Sequence, residues 1–244
     1  MMLAIKISYD GTNYCGWQSQ KNGLSIQERI EEAIFNLIGE RIQTIASGRT
    51  DAGVHALGQV VSFKVTKDFD INKIVKGLNF YLPEDIKVIE VFLENDDFNA
   101  RFSAVKKTYS YMIYEAKIDS PLLKNRALRV DNVDIKSLIQ VKKQFIGEHD
   151  FVRYNSSGGG AKTTTRKIYD LEIFEDEYFG QRIIKIEITA NGFLYNMVRK
   201  IVGVLLKRDK DFIKSTLKEP FETVKEIVPP YGLYLKEVFY AKNN

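Results

Sequence analysis

The sequence predicts an α+β protein in which the order strand, helix, strand, strand, helix, strand occurs twice. Short segments in which apolar residues alternate with other residues are typical of half-buried strands. Other segments place apolar residues three and four positions apart, which is the spacing of one helix face. Both kinds of segment follow one another in the same order in the two halves of the 244-residue chain. This βαββαβ order is that of the ferredoxin-like arrangement, so we predict two ferredoxin-like halves with mainly antiparallel sheets.

The elements of the first half are predicted from alternation and from signals at helix ends. Ser25 and Glu28 have the spacing of a capping box, so a helix is predicted to begin there. Gly39 stands where this helix would end, and Asp70 can cap a second helix. Strands are predicted at residues 3–9, 42–47, 61–65 and 86–93.

The second half repeats these signals. Asp134 can cap a helix, and apolar residues at helical spacing from Val198 to Leu206 predict another. Strands are predicted at residues 108–114, 169–173, 184–188 and 233–240. We therefore divide the chain into an N-terminal half of residues 1–104 and a C-terminal half of residues 105–244.

Composition limits the classes of protein that this chain can be. A hydrophobic fraction of 44% and a charged fraction of 28% are those of an ordinary folded protein. The single cysteine, Cys15, excludes an intramolecular disulfide and fits a reducing compartment. Residues 1–9 do not have the pattern of a secretory signal, and the apolar stretch 201–206 is too short to cross a bilayer. We expect a cytoplasmic protein that does not contact membranes.

The charge pattern permits a polyanionic partner. The net charge is +4, and basic pairs are spread mostly over the second half. Each pair alone is typical of a solvated face, but together they allow an electrostatic footprint for nucleic acid. A loop at residues 153–166 contains three consecutive glycines, and we expect it to be mobile and to become ordered with a ligand.

The most informative stretch is the glycine-rich run of residues 47–60, SGRTDAGVHALGQV. The simplest interpretation is a charged turn between two strands, but a turn does not require Arg-Thr-Asp between its glycines. A carboxylate close to arginine stays ionised at neutral pH and can act as a nucleophile or a base. Asp51 is therefore the candidate catalytic residue, and Arg49 and Arg199 are the arginines considered for it.

Other kinds of chemistry have weaker support. The chain has two histidines and one cysteine, with no ligand spacing that predicts a metal site. No nucleotide-binding loop follows a predicted strand, so we expect no cofactor. A Ser-His-Asp triad stays open, although no Gly-x-Ser-x-Gly sequence is present. Residues 8–12 resemble an aspartyl phosphotransferase sequence in which the nucleophile is replaced by Ser8, and we reject that interpretation.

Two tyrosines provide a candidate surface for a nucleic-acid base. Tyr109 and Tyr111 lie two positions apart on a predicted strand and therefore share one face of the sheet. We expect one of them to pack in the core. The other can offer its ring to an unpaired base. For His149 we expect a local role, in hydrogen bonds to the backbone or in packing beside Phe151.

The run at 47–60 resembles the signature of the TruA-type tRNA pseudouridine synthases. Five further blocks resemble sequences of that family in the same order from end to end. They are YDGTNYCGWQ at 9–18, ARFSA at 100–104 with KTYSY at 107–111, FIGEHDF at 145–151, ANGFLYNMVR at 190–199 and PPYGLYL at 229–235.

The resemblance implies a fold, a reaction and partners. The family has two ferredoxin-like halves, the pseudouridine synthase fold, with the active site in the cleft between them. Its members isomerise uridine to pseudouridine at positions 38–40 of the anticodon stem-loop of tRNA, without a cofactor or a metal. They work as homodimers, and the second half would then carry a tRNA-binding loop.

The resemblance also implies roles for individual residues. Asp51 would be the nucleophile, and Arg49 would displace the base and hold it flipped. Tyr109 would stack on the uracil and handle the C5 proton, while Arg199 would pair with Asp51. The implied substrate contacts are Tyr109, Arg49, His55, Gln59 and Arg101. The chain departs from the family at Asn99, where histidine is common, so no role is assigned to that position.

A second function remains open at this level. Tandem ferredoxin-like domains also occur in proteins that bind RNA without changing it. Such domains carry a basic-Gly-aromatic-Gly-aromatic run on a central strand, which this sequence lacks. A regulatory repeat that binds small molecules is a third and weaker alternative.

Overall fold

The structure is a computed structural model that describes residues 1–21, 23–67, 69–218 and 222–241. The chain forms two compact units. Unit 1 comprises Met1–Val105 together with the chain from Tyr234 onward, and unit 2 comprises Lys106–Leu233. The predicted division at residues 104 and 105 thus lies beside the observed one. The prediction assigned the last strand to the second half, whereas the structure groups it with unit 1.

The described residues form ten strands and five α-helices. The strands are β1 Met2–Tyr9, β2 Ile45–Ala46, β3 His55–Lys64, β4 Ile86–Glu94, β5 Ala104–Glu115, β6 Leu128–Val130, β7 Gly147–Asp150, β8 Thr165–Tyr178, β9 Gln181–Ala190 and β10 Leu233–Tyr240. The helices are α1 Ile26–Ile38, α2 Ile74–Tyr81, α3 Ile135–Lys142, α4 Met197–Lys207 and α5 Lys210–Lys218. None of these helices is both long and apolar enough to cross a membrane.

Unit 1 is a sheet covered by two helices. Strand β1 pairs antiparallel with β4 on one side and with β3 on the other. The far edge of β3 pairs antiparallel with β2 and, near its start, parallel with β10. Leu3, Ile5 and Ile7 of β1 are fully buried, as are the residues that α1 turns inward at helical spacing. The order β4-β1-β3-β2 with antiparallel neighbours is the predicted ferredoxin-like arrangement.

Unit 2 contains an antiparallel sheet in the order β5-β9-β8-β7, with β6 parallel to β5. The long hairpin of β8 and β9 turns at Phe179 and Gly180, both with positive φ. Apolar residues alternate along β9, and Ile184, Ile186 and Ile188 are all fully buried. Helix α4 buries eight of its eleven residues, and apart from Lys200 all of the buried ones are apolar or glycine.

The local helix signals are confirmed. Ser25 and Glu28 form both hydrogen bonds of the capping box, and Gly39 ends α1 with φ of 75°. Asp70 caps a 3₁₀ turn that leads directly into α2, and Asp134 accepts from the amide of Ser137 at the start of α3. The predicted strands are present, although β2 is shorter and β3 longer than the alternation indicated. The structure adds β6, β7 and α5, which were not predicted.

Candidate active site

The loop that carries Asp51 connects β2 to β3, and its backbone is fixed at Thr50. The hydroxyls of Tyr9 and Thr50 share a hydrogen bond of 2.7 Å. The carbonyl oxygen of Thr50 accepts from the amide of Trp17 at 3.0 Å. Burial raises the pKa of Tyr9 far above its usual range, so its hydroxyl stays neutral. Thr50 is therefore anchored through both its side chain and its backbone.

Two glycines of the segment between β1 and α1 press against the same loop. A Cβ at Gly16 would lie 2.5 Å from the carbonyl oxygen of Thr50, and one at Gly11 would lie 2.0 Å from that of Val54. Gly16 also has φ of 101°, which L side chains rarely adopt. Only glycine allows the two segments to lie backbone against backbone here.

The side of the loop before Arg49 is held by Gln59. The Gln59 amide nitrogen donates to the carbonyl oxygen of Gly48 at 2.7 Å, and its oxygen accepts from the hydroxyl of Ser47. Gln59 is fully buried on β3, and Ser47 is fully buried at the end of β2. Since both partners lie in the core, the loop leaves the sheet at a fixed point.

His55 holds the side of the loop that enters β3. Its side chain is 1% exposed, and its Nδ1 accepts from the amide of Gly11 at 3.0 Å. The same nitrogen lies 3.1 Å from a carboxylate oxygen of Asp10, and the ring stacks on Tyr234 at 4.7 Å between centroids. The histidine thus joins the segment before α1 to the first residue of β3.

Asp51 lies between these anchors. It is half-buried, and its carbonyl oxygen accepts from the amide of Val54 at 3.1 Å, which closes a tight turn. Arg49 is exposed. The arrangement presents a carboxylate from a backbone that buried side chains hold in place on both sides, which is the geometry of a preorganised nucleophile or base.

The two tyrosines of β5 differ in their surroundings. Tyr111 is fully buried and donates its hydroxyl to the carbonyl oxygen of Pro229 at 2.9 Å. Burial raises its pKa, so it stays neutral. Tyr109 is 8% exposed and packs edge to face against Phe193, with ring centroids 5.1 Å apart. Tyr111 is the expected core tyrosine, which leaves Tyr109 as the candidate for contact with a base.

Arg199 lies in the first turn of α4 and is half-buried. Its Nε donates to the carbonyl oxygen of Val228 at 2.8 Å, and its Nη1 donates to the side-chain oxygen of Asn196 at 2.8 Å. Both of these acceptors are neutral, so they orient the guanidinium without neutralising its charge.

The neighbouring Lys200 is not part of a solvated basic face, although the sequence indicated one. It is 4% exposed, and its Nζ donates to the carbonyl oxygen of Asn155 at 3.0 Å. Burial lowers its pKa. His149 has the local role that was predicted, with Nε2 3.1 Å from the carbonyl oxygen of Ile146 and its ring beside Phe151.

Arg101 lies elsewhere in unit 1. The amide of Ala100 donates to the hydroxyl of Ser62 near the end of β3, whereas the Asp51 loop precedes the start of that strand. Asn99 accepts from the amides of Arg101 and Phe102 at 3.0 and 3.1 Å, so it shapes this turn. Arg101 is exposed and lies over the ring of Phe102. Asn99 therefore has a structural role here that the sequence did not reveal.

The anchors of the Asp51 loop were missed in the sequence. Tyr9, Gly11 and Gly16 belong to the first block of the family resemblance, but that block gave no contact between it and the loop. The sequence contained one indication of this contact, because two glycine-containing blocks, residues 9–18 and 47–60, occur in the same half of the chain. Among the described residues, no group of three or more His, Cys, Asp or Glu side chains is placed to hold a metal ion.

A family model described as tRNA pseudouridine synthase matches residues 5–103 and 141–241. Similar proteins named tRNA pseudouridine synthase A occur in several bacteria. The chain is 41% identical to that of Thermoanaerobacter sp. (strain X514) over 245 residues, which cover 98% of this chain and 99% of the relative. It is 42% identical to that of Caldicellulosiruptor bescii and 36% identical to that of Bacillus sp. (strain KSM-64). The alignments cover 99% and 98% of these relatives.

These matches place the protein in the class of RNA-modifying isomerases. The chain belongs to the tRNA pseudouridine synthase family, as the resemblance predicted. The alternative of an RNA-binding protein without catalysis is not favoured. A solved Cbf5-Nop10-Gar1 complex aligns with 96% of this chain and 47% of its own chain, at 13% identity and a TM-score of 0.34. That likeness is too weak to bear on the fold.

Proposed function

We propose that this protein isomerises uridine to pseudouridine at positions 38–40 of the anticodon stem-loop of tRNA. The reaction breaks the N-glycosidic bond, rotates the base and rejoins it through C5, while C5 loses a proton and N1, freed from the ribose, gains one. It involves no redox change and no donated group, so the proposal includes no cofactor. The observation that carries it is the half-buried Asp51 on a loop anchored from both sides, in a chain of this family.

Asp51 acts as the nucleophile in this proposal. A nucleophile gains most when its position is fixed before the substrate binds, because the enzyme then spends no binding energy on ordering it. Thr50, Gly48 and Val54 are all held through their backbone or side chain, and Asp51 lies among them. Attack at C6 of the uracil and attack at C1′ of the ribose are both compatible with this role.

Arg49 helps to displace the base and holds it in the flipped conformation. Moving a uridine out of its stack costs a few kcal/mol, and the enzyme must supply it through contacts made only to the flipped state. Arg49 is exposed and is separated from Asp51 only by the anchored Thr50. Its guanidinium can therefore reach the RNA without disturbing the nucleophile.

Tyr109 and Arg199 contribute from unit 2. Tyr109 stacks on the uracil and handles the C5 proton, and Arg199 pairs with Asp51 and keeps it ionised. Both tyrosines are buried, but Tyr109 keeps 8% of its surface exposed and Tyr111 none, and this difference and the neutral acceptors that orient Arg199 support the assignment.

The remaining predicted contacts receive two different roles. We assign His55 and Gln59 to positioning, since both are buried and bond to the segments that hold Asp51. Arg101 is exposed and suits a contact with an RNA phosphate outside the site of chemistry. A homodimer in the cytoplasm completes the proposal, on the strength of the family resemblance.

The test compares wild type with Asp51→Asn on unmodified tRNA, with pseudouridine formation and tRNA binding measured separately. Asp170→Asn is a matched control, because Asp170 is exposed on β8 and outside the proposed site. We expect product from wild type and from the control. Asp51→Asn is expected to fold, to bind tRNA and to form no product.

Pseudouridine formation by Asp51→Asn would contradict the assignment of the nucleophile. Tight tRNA binding without product from wild type would favour the non-catalytic RNA-binding protein instead. Binding that does not depend on Asp51 is expected in either case, so only the product distinguishes the two functions.

A further inference from the structure

Asn196, the residue that precedes α4, has a side chain that neither helix capping nor backbone conformation explains. It occupies the N-cap position but makes no side-chain capping hydrogen bond. Its φ of 61° is left-handed, a conformation that glycine adopts freely and asparagine tolerates. Glycine would satisfy the backbone equally well, so the amide must serve another purpose.

The amide joins two parts of unit 2. Its oxygen accepts from Nη1 of Arg199 at 2.8 Å, and its nitrogen donates to the hydroxyl of Ser156 at 3.1 Å. A guanidinium can only donate, so the oxygen must face Arg199 and the nitrogen must face Ser156. Because the amide is planar, its two ends cannot turn independently.

Ser156 is the first residue of a glycine-rich loop, which we define as residues 156–163. Its amide donates to the carbonyl oxygen of Tyr195 at 3.1 Å, and the preceding Asn155 accepts from the buried Lys200. The start of the loop is therefore fastened to the first turn of α4. Gly159 still lies close to this anchor, since a Cβ there would lie 3.0 Å from the Cβ of Tyr195, whereas a Cβ at Gly158 or Gly160 would meet nothing within 4 Å.

We propose that Asn196 is a positioning residue that couples the glycine-rich loop to the orientation of Arg199. The loop carries Lys162 and is followed by Arg166, which suits it to phosphates of the RNA backbone. A displacement of Ser156 when the loop engages RNA turns the shared amide and thereby Nη1 of Arg199. This inference rests on the proposed function, because it gives Arg199 a part in that reaction.

The first test is Asn196→Gly, which keeps the left-handed backbone and removes only the amide. Asn125→Gly is the matched control, since Asn125 has φ of 56° and lies in the same unit. We expect kcat on tRNA to fall about tenfold in Asn196→Gly, with KM changed by less than about threefold. Asn125→Gly is expected to leave both constants unchanged. Wild-type kcat in Asn196→Gly would overturn the proposal.

The second test asks whether loop and arginine act through one group. Ser156→Ala removes the hydroxyl that accepts from the Asn196 amide nitrogen, but it leaves the Asn196 oxygen in place as the acceptor for Arg199. We expect it to lower kcat by a smaller factor than Asn196→Gly, and to have no further effect in the Asn196→Gly background. Effects on kcat that multiply in the double variant would show independent roles and would also overturn the coupling.

A third measurement does not depend on activity. Trypsin cleavage after Lys162 reports how firmly the loop is held, and it can be followed without RNA. We expect faster cleavage in Asn196→Gly and Ser156→Ala than in Asn125→Gly and wild type. Equal cleavage rates would contradict the link even if wild type formed no pseudouridine, whereas absence of product alone would count against the proposed function.

Discussion

Two loops of this protein use glycine for opposite purposes. The Asp51 loop in unit 1 lies against Gly11 and Gly16, where added Cβ atoms would lie 2.0 and 2.5 Å from backbone carbonyl oxygens. In the glycine-rich loop of unit 2, a Cβ at Gly158 or Gly160 would meet nothing within 4 Å, although one at Gly159 would lie 3.0 Å from the Cβ of Tyr195. In the first region glycine permits dense packing of backbone on backbone, and in the second it leaves the chain room to adjust.

The difference matches the work that we assign to each loop. A nucleophile benefits from a fixed position, so buried side chains and close backbone contacts surround Asp51. A segment that follows an RNA backbone benefits from adaptability, so it is fastened at its start and open beyond. The same residue type therefore indicates rigidity or freedom according to what lies next to it.

The strongest test of this comparison replaces one glycine from each of the two regions with alanine. Gly16→Ala forces a left-handed residue and a contact of 2.5 Å with Thr50, so we expect a loss of about 3 kcal/mol in the free energy of unfolding. The Cβ added in Gly160→Ala meets no atom within 4 Å, so we expect this variant to change the free energy of unfolding by less than about 1 kcal/mol. Urea unfolding of both variants provides the measurement.

A Gly16→Ala variant as stable as wild type would remove the basis of the comparison. The contrast would also fail if Gly160→Ala were as destabilising as Gly16→Ala, because the glycine-rich loop would then be packed more tightly than its surroundings indicate.

Matched tyrosines provide a second and smaller test. Tyr9 and Tyr154 are both buried, and each shares a hydrogen bond of 2.7 Å with a threonine hydroxyl, Thr50 and Thr216 respectively. We expect Tyr9→Phe and Tyr154→Phe each to lower the free energy of unfolding by about 1 kcal/mol, since one hydroxyl loses its partner. Only Tyr9→Phe is expected to lower kcat as well, by about tenfold, because only Thr50 is adjacent to Asp51.

The two kinds of measurement separate stability from positioning. If both variants lost the same fraction of kcat, the effect would follow general stability. If Tyr9→Phe kept full kcat, the anchoring of Thr50 would have no part in placing Asp51.

The smallest expected effect concerns pH and Lys200. Burial lowers the pKa of Lys200 in the folded protein, so at alkaline pH the unfolded chain binds more protons at this group than the folded one. Its contribution to stability therefore rises with pH until the pKa of an unfolded lysine, about 10.4, is passed. We expect the stability of wild type relative to Lys200→Met to increase as the pH is raised through the alkaline range up to about pH 10.

Lys207→Met is the control for this experiment, because Lys207 is exposed in the last turn of the same helix. Its difference from wild type should stay constant over that range. A constant difference for Lys200→Met as well would mean that the ammonium group is not desolvated at the start of the glycine-rich loop.

The sequence predicted those parts of the fold that depend on neighbours along the chain. The capping box at Ser25 and the stop at Gly39 need only a few adjacent residues, and both are present. Strand β7 reads Gly-Glu-His-Asp and has no apolar alternation to detect, whereas α5 places Phe212, Ile213, Thr216 and Leu217 on one face but is only nine residues long. Such elements are stabilised by packing against the rest of unit 2 rather than by their own local sequence.

The site divides in the same way. Asp51 and Arg49 lie in one sequence motif, so both could be predicted as site residues from the sequence. The bond between Tyr9 and Thr50 joins residues 41 positions apart, and the approach of Gly16 to that backbone depends on how the segments pack. Asn196 was passed over because its partner Ser156 lies 40 positions away and no helix signal needs its amide.

The placement of β10 has a consequence for how the protein is made. Unit 1 is discontinuous, since Tyr234 pairs and stacks with His55, beside the loop of Asp51. During synthesis, residues 1–105 leave the ribosome long before this strand exists, so the surroundings of Asp51 are completed only after unit 2 has been translated. A nascent chain interrupted between β3 and β10 would thus carry the whole Asp51 motif without its finished support. Synthesis itself delays the active enzyme until nearly all of this chain has emerged.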